Sequence, residues 1–249
     1  MDNKQSSSSR RLNHLGVHSL DHFCISVPDV QQASTFYDAF GLVTRVDVNA
    51  LDLHTAAHPH RWGRVIAGPR KQLQYLSFGA YADDLPKFRA HLKQRGITLL
   101  PPPAAVGGEG LWFKGHDDVL IEIRAAEKSS PDQKSTLSFE APPSVVRGTM
   151  SRSQAPRVQP RRMSHVAIFT TDISAAIAYY SEVLGLRLSD RSDGVVAFLH
   201  GAHGSDHHML ALVVSPAPGF HHCSWDVGTV QDVGLGAAHM AGSGFERGW

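Results

Sequence analysis

The residues best suited to chemistry are histidines, which occur in two adjacent pairs at the edges of two apolar, strand-like runs. The pairs are His207-His208 and His221-His222, and a Pro-Gly loop joins the two runs. The 249-residue chain carries 16 histidines, well above the usual content for its length. Imidazole titrates near neutral pH and is a common metal ligand. The pairs therefore point to proton transfer, metal binding or both.

An internal repeat indicates which histidines occupy equivalent positions. Residues 20–47 and 163–190 share one pattern, in which a histidine, His22 or His165, precedes a pair of aromatic residues by 14 and 15 positions. Each copy begins as a strand with β-branched and aromatic residues and then changes to the 3.6-residue period of a helix. Short strand-like runs follow the helix. The repeated unit is therefore predicted to be β-α-β-β-β.

Two further segments, residues 73–96 and 220–244, have the outline of later units of the same kind. We therefore expect an α+β fold in which paired β-α-β-β-β modules form two cupped-sheet barrel domains, with the last module incomplete. Residues rich in Ser, Pro and charge separate the two halves, as is typical of a linker. The predicted divisions are a disordered leader (1–17), an N-terminal two-module domain (18–126), a linker (127–160) and a truncated C-terminal catalytic domain (161–249).

The repeat places two histidines where they can share a metal ion. His165 opens the first strand of the third unit and His222 opens that of the fourth, so the two imidazoles are expected to converge across the joint between units. A first-row metal in such a site needs a third protein ligand, for which a carboxylate is the expected group. In the first half, Glu122 lies 100 positions after His22, and the same offset from His165 falls beyond Trp249.

In these motifs the chain resembles the type I extradiol ring-cleaving dioxygenases of the vicinal oxygen chelate superfamily, which include catechol 2,3-dioxygenase and 2,3-dihydroxybiphenyl 1,2-dioxygenase. The resemblance spans roughly residues 18 to 245 and is carried by LDHFCISVPD, MSHVAIFTTDISAAIAYYSEVLGL, DHHMLAL and GFHHCSWDVGTVQDVG. It implies that His165 and His222 bind Fe(II), or less often Mn(II). It also implies, through the pattern HxxAL, that His208 is the acid-base residue.

The resemblance further implies that a catechol-type aromatic ring is opened with O2. The ligand Glu of the family belongs to strands that follow the fourth helix, so the sequence is expected to be C-terminally truncated and to lack a complete site. In the first half Tyr75 is a rough counterpart of His222. Tyr in place of His favours a vestigial, structural half over a second metal site there. The histidine-rich run at residues 54–62 is interpreted as a solvated loop.

Composition excludes several other classes of function. Lys and Arg total 24 against 23 Asp and Glu, and no basic run is typical of nucleic-acid binding. No apolar stretch is long enough for a membrane span, and Cys24 and Cys223 are predicted to be buried free thiols, which favours a cytoplasmic protein. A homo-oligomer is expected from exposed sheet edges. Two alternatives remain open: a glyoxalase-like metal-dependent isomerase or lyase, and a non-catalytic binding module.

Overall fold

The computed structural model describes residues 10–103, 109–132, 143–146 and 157–246. The strands of the first half are β1 (Ser19–Val27), β2 (Val43–Asp47), β3 (Ala50–Thr55), β4 (His58–Ala67), β5 (Gln72–Ala80), β6 (Leu111–Lys114) and β7 (Leu120–Ala125). Those of the second half are β8 (Arg162–Thr170), β9 (Leu186–Ser192), β10 (Val196–Gly201), β11 (Leu210–Val214) and β12 (Gly219–Asp226). The helices are α1 (Val30–Phe40), α2 (Leu85–Gln94), α3 (Ile173–Leu184) and α4 (Val230–Gly242).

The two sheets repeat one plan. The first has the strand order β2-β3-β4-β1-β5-β7-β6, and the second has the order β9-β10-β11-β8-β12. In the first half β1 pairs in parallel with β4 and antiparallel with β5, which begins the next unit. In the second half β8 pairs in the same way with β11 and β12. The predicted α+β fold built from β-α-β-β-β modules is confirmed. The described sheets are cupped and open, and they do not close into barrels.

Local sequence signals fix where helix α3 begins and ends. The side chain of Asp172 accepts a hydrogen bond from the backbone N–H of Ala175 at 2.9 Å and so caps the first turn. Gly185 ends the helix in the left-handed conformation, with a φ of 69°. A Cβ at Gly185 would lie 2.3 Å from the carbonyl oxygen of Leu15, so glycine is required there for two reasons.

Contacts between the halves join their apolar interiors. The rings of Phe23 on β1 and Phe220 on β12 stack with centroids 5.5 Å apart. The turn between β6 and β7 places Asp117 against the end of β8. There its carboxylate accepts hydrogen bonds from the hydroxyl of Thr170 at 2.7 Å and the hydroxyl of Thr171 at 2.6 Å. These contacts hold the two sheets in one arrangement.

Residues 10–17 lie within the predicted leader but form part of the folded protein. The guanidinium of Arg10 bonds the carboxylate of Asp83 at 2.8 Å and lies 4.0 Å from the ring centre of Tyr81. Val17 is fully buried, and its N–H donates to the carbonyl of Leu184. Of the predicted leader (1–17), residues 10–17 are thus ordered in the structure, and residues 1–9 lie outside the described residues. The other domain boundaries stay predictions, and much of the predicted linker lies outside the described residues.

Two further predictions concern the cysteines and membrane-spanning segments. Cys24 is a buried free thiol, as the sequence predicts, whereas Cys223 is a free thiol that is only partly buried. In the part of the chain that the structure describes, every helix is too short or too polar to cross a bilayer.

Candidate metal centre

Strands β1 and β8 each contain a β-bulge directly before their histidine, which changes the direction of the histidine side chain. The bulge occurs at the same place in both halves. In the β1–β5 ladder Asp21 is the extra residue, and His22 pairs with Ser77. In the β8–β12 ladder the extra residue directly precedes His165, which pairs with Ser224. Bulges of this kind are common beside functional sites because they turn a side chain toward a new direction.

The ladders also define the partner of each bulged histidine. Cys24, two residues after His22, pairs with Tyr75. In the second half the residue two positions after His165, Ala167, pairs with His222. Tyr75 and His222 therefore occupy equivalent positions. The strand pairing thus defines the correspondence that the sequence indicated only roughly.

The three histidines predicted as site residues lie in one cluster. The Nε2 atoms of His165 and His222 are 3.2 Å apart. The ring of His208, just before β11, lies with its centroid 4.0 Å from that of His165 and 4.7 Å from the ring of Phe198. His207 is exposed, whereas His208 is partly buried.

Burial keeps these imidazoles neutral. Burial, assisted by the neighbouring histidines, lowers the pKa of His165 to about 3 and that of His208 to about 4. Burial also lowers the pKa of His222, with His221 adding to the effect. A neutral imidazole is the form that binds a metal, so a cation at this site would not have to displace protons at pH 7.

The geometry of the cluster fits two ligands of one metal ion. With metal–nitrogen bonds of about 2.1 Å, two nitrogens 3.2 Å apart subtend an angle of about 100° at the shared ion, close to that of adjacent ligands in an octahedron. Imidazole donors suit Fe, Zn, Cu and Ni. Among the described residues, however, no group of three His, Cys, Asp or Glu side chains is placed to hold a metal. The described residues therefore supply an imidazole pair and leave the third ligand unassigned.

Two ring nitrogens of the cluster have unsatisfied hydrogen-bonding capacity. His165 Nδ1 and His208 Nε2 are buried and make no hydrogen bond with the described residues. Leaving such an atom unpaired costs about 1–3 kcal/mol, and groups of this kind often have a catalytic or ligand-binding role. The other ring nitrogen of His208 lies 3.1 Å from Nδ1 of His207. Its Nε2 is thus the atom of His208 that is available for chemistry.

A chain of charged side chains, not anticipated from the sequence, ties together the three segments that carry the histidines. Arg162, three residues before His165, makes a two-pronged contact with Asp206 at 2.5 and 3.0 Å. Asp206 lies two residues before His208. Asp226, at the end of β12, lies 3.6 Å from the same guanidinium and 2.6 Å from that of Arg161. We refer to Arg161, Arg162, Asp206 and Asp226 as the ionic belt.

The equivalent positions of the first half form a different, closed cluster. His22 Nδ1 lies 2.7 Å from a carboxylate oxygen of Asp21, and the Tyr75 hydroxyl lies 3.2 Å from His22 Nε2. Glu122, on β7, accepts a hydrogen bond of 2.6 Å from the hydroxyl of Ser77. Within this cluster His22 thus bonds Asp21 and Tyr75, while Glu122 bonds Ser77, and a purely structural role for the first half stays a prediction.

The histidine-rich run at residues 54–62 is not a solvated loop, and that interpretation is wrong. It forms the β3–β4 hairpin, in which His54 and Trp62 are buried. His60 Nε2 donates to the carbonyl of Asp21 at 2.8 Å. The hairpin therefore packs against the first-half cluster, a contact across about 40 residues of sequence that local composition does not reveal.

Comparison with known proteins establishes the family. The chain is 45% identical over 233 residues to metapyrocatechase 2 of Cupriavidus necator, covering 94% of this chain and 72% of that protein. This chain belongs to the metapyrocatechase family of extradiol dioxygenases. Residues 162–247 also match the model of the Glyoxalase/Bleomycin resistance protein/Dioxygenase superfamily. The resemblance noted in the sequence is thus confirmed.

Solved structures confirm the fold. The Mn(II)-bound glyoxalase from Novosphingobium aromaticivorans superposes with a TM-score of 0.73 at 21% identity, over 94% of this chain and 73% of that one. The 2,3-dioxygenase LapB from Pseudomonas sp. KL28 gives a TM-score of 0.70 at 20% identity, over 93% and 82%. At these identities the likeness concerns the fold alone, which is shared by enzymes of different activity.

Proposed function

We propose that this protein is an extradiol dioxygenase that opens a catechol-type aromatic ring with O2, with Fe(II) held by His165 and His222. Mn(II) is the alternative metal. The observation that carries the proposal is the 3.2 Å approach of the two Nε2 atoms, with the ring of His208 packed 4.0 Å from that of His165. Family membership supports the same activity, because metapyrocatechase 2 is a relative with 45% identity.

His165 and His222 would hold the metal as neutral donors placed on adjacent strands of one sheet. When bound, the metal would act as a Lewis acid and redox centre that brings an aromatic diol and O2 together. The bulge before His165 and the pairing of Ala167 with His222 fix the directions of both rings. Fixed ring directions of this kind would hold the metal, and through it the reactants, in one orientation.

His208 is suited to accept and return a proton at its Nε2 atom. Its low pKa keeps it neutral at pH 7, and its Nε2 is buried without a hydrogen-bond partner among the described residues. Ring opening requires that a diol proton be removed and a proton later be delivered to oxygen. A positioned imidazole typically contributes about 10²–10⁴-fold to the rate of such a reaction. The adjacent ring of Phe198 restrains the orientation of His208.

The test is anaerobic reconstitution of the full-length gene product with Fe(II), because the described residues leave the third ligand unassigned, followed by addition of catechol and O2. We expect O2 consumption coupled to a yellow ring-opened product. Replacement His208→Gln should lower kcat by about 100-fold or more, whereas the matched replacement of its exposed neighbour, His207→Gln, should change kcat by less than about 10-fold. A glyoxalase-like isomerase would act on a hemithioacetal without O2. Turnover without O2, or equal effects of the two replacements, would refute the assignment.

A further inference from the structure

The first half contains a buried polar cluster that the proposed reaction does not use. Its main side chains, those of His22, Tyr75 and Glu122, are 1%, 2% and 2% exposed. The ladders place them on one face of the first sheet, because His22 and Glu122 both pair with Ser77 and Tyr75 lies two residues before it on β5. The cluster therefore has a common centre between three adjacent strands.

The surroundings of His22 are those of a metal ligand. Asp21 lies 2.7 Å from Nδ1, which fixes a tautomer with the proton on Nδ1 and leaves Nε2 as a lone-pair donor. Metal-binding histidines commonly donate their second ring nitrogen to a carboxylate in this way. In the second half, His165 has no such partner for its Nδ1 among the described residues. In this respect His22 is oriented more firmly than the histidine of the proposed catalytic site.

Glu122 supplies a carboxylate directed by its neighbours. Its Oε2 accepts from Ser77, and a Cβ added to Gly110 would lie 2.3 Å from its Oε1. Glycine at position 110 thus allows the backbone to approach the carboxylate closely. One imidazole and one carboxylate are two members of the donor set that first-row metals use in facial triads.

We propose that His22, Glu122 and the side chain at position 75 form a second, closed site for a divalent first-row cation, which Tyr75 keeps from binding metal. The hydroxyl of Tyr75 donates to His22 Nε2 at 3.2 Å and so engages the lone pair that a cation would need. Burial raises the pKa of Tyr75, which disfavours the phenolate form that could ligate a metal. The equivalent residue of the second half is His222, whose Nε2 lies 3.2 Å from that of His165.

The proposal predicts that the single replacement Tyr75→His creates a metal site. It should be tested in the full chain with His165→Ala and His222→Ala also present, so that the second-half pair binds no metal. Co(II) titration followed by visible absorption should show one ion bound per chain with Tyr75→His. With Tyr75, or with the control Tyr75→Phe, binding should be at least 100-fold weaker.

Further replacements locate the ion and separate failure to bind from failure to fold. Adding His22→Ala or Glu122→Gln to the Tyr75→His chain should abolish the Co(II) absorption. Circular dichroism reports folding, and Tyr75→Cys serves as a second, smaller ligand whose Co(II) complex has an intense thiolate absorption. Folded His and Cys variants that both fail to bind Co(II), or binding that survives loss of His22, would overturn the proposal. None of these readouts depends on dioxygenase activity.

Discussion

Replacement of Arg162 tests whether the ionic belt supports the histidine cluster. The Arg162–Asp206 contact is two-pronged, and the two side chains are 22% and 29% exposed. Exposed pairs are worth about 0.2–1 kcal/mol, and breaking fully buried pairs costs about 3–5 kcal/mol. For this half-buried, well-aligned pair we therefore expect a coupling free energy of about 1–2 kcal/mol, after allowance for solvent screening.

The assay is a double-mutant cycle of Arg162→Gln and Asp206→Asn, with the free energy of unfolding measured in urea. A matched control is the pair Arg191–Asp193, which has a single 2.8 Å contact and side chains that are 54% and 84% exposed. Its coupling should be below about 0.5 kcal/mol. Arg162→Gln should also lower metal affinity or kcat by about 10–100-fold, as is typical when groups supporting a metal ligand are lost. Equal coupling free energies in the two cycles, or a metal affinity and kcat that Arg162→Gln leaves unchanged, would refute the reasoning.

Two further predictions concern stability. The pKa values of His165 and His208 are lowered in the folded protein, so the unfolded chain binds more protons than the folded chain below pH 6.5. The free energy of unfolding should therefore fall as the pH is lowered from 6.5 toward 4. Urea titrations at pH 7 and 4.5 should show a smaller loss when both are replaced by Gln, and an equal loss would contradict this. Gly185→Ala should destabilise by about 2–4 kcal/mol, because a Cβ would meet the carbonyl of Leu15 in addition to the left-handed strain. Gly194→Ala, with a φ of 70° and no atom within 4 Å, should cost about 1–2 kcal/mol, with both free energies of unfolding measured in urea.

The repeat made most of the fold predictable. A strand period that changes to a helical period, repeated with the same spacing from His22 and His165, specifies the module and its order in the chain. Caps such as Asp172 and Gly185 are local signals, since each acts within its own turn. The repeat and the strand-edge positions singled out His165 and His222 from 16 histidines as candidate ligands, and the family resemblance added His208 as the candidate acid-base residue.

Features that depend on contacts between distant segments were not predictable in this way. The bulges before His22 and His165 are defined by the partner strand and leave no mark in local composition. The ionic belt joins Arg162 to Asp206 across 44 residues, and charged residues at strand ends are ordinarily solvated. Likewise, the burial of His54 depends on the position of its strand β3 inside the first sheet, between β2 and β4, which its polar sequence does not indicate.

The most direct test of the central claim is whether His165 and His222 bind the same ion. The protein labelled with ¹⁵N-histidine should be titrated with Zn(II), as a diamagnetic substitute, and followed by NMR of the imidazole nitrogens. We predict that the Nε2 resonances of both residues shift together and that these shifts are complete at one ion per chain. Either replacement, His165→Ala or His222→Ala, should abolish the shift of the remaining histidine. Independent shifts, or a shift of only one of the two, would contradict a shared metal centre.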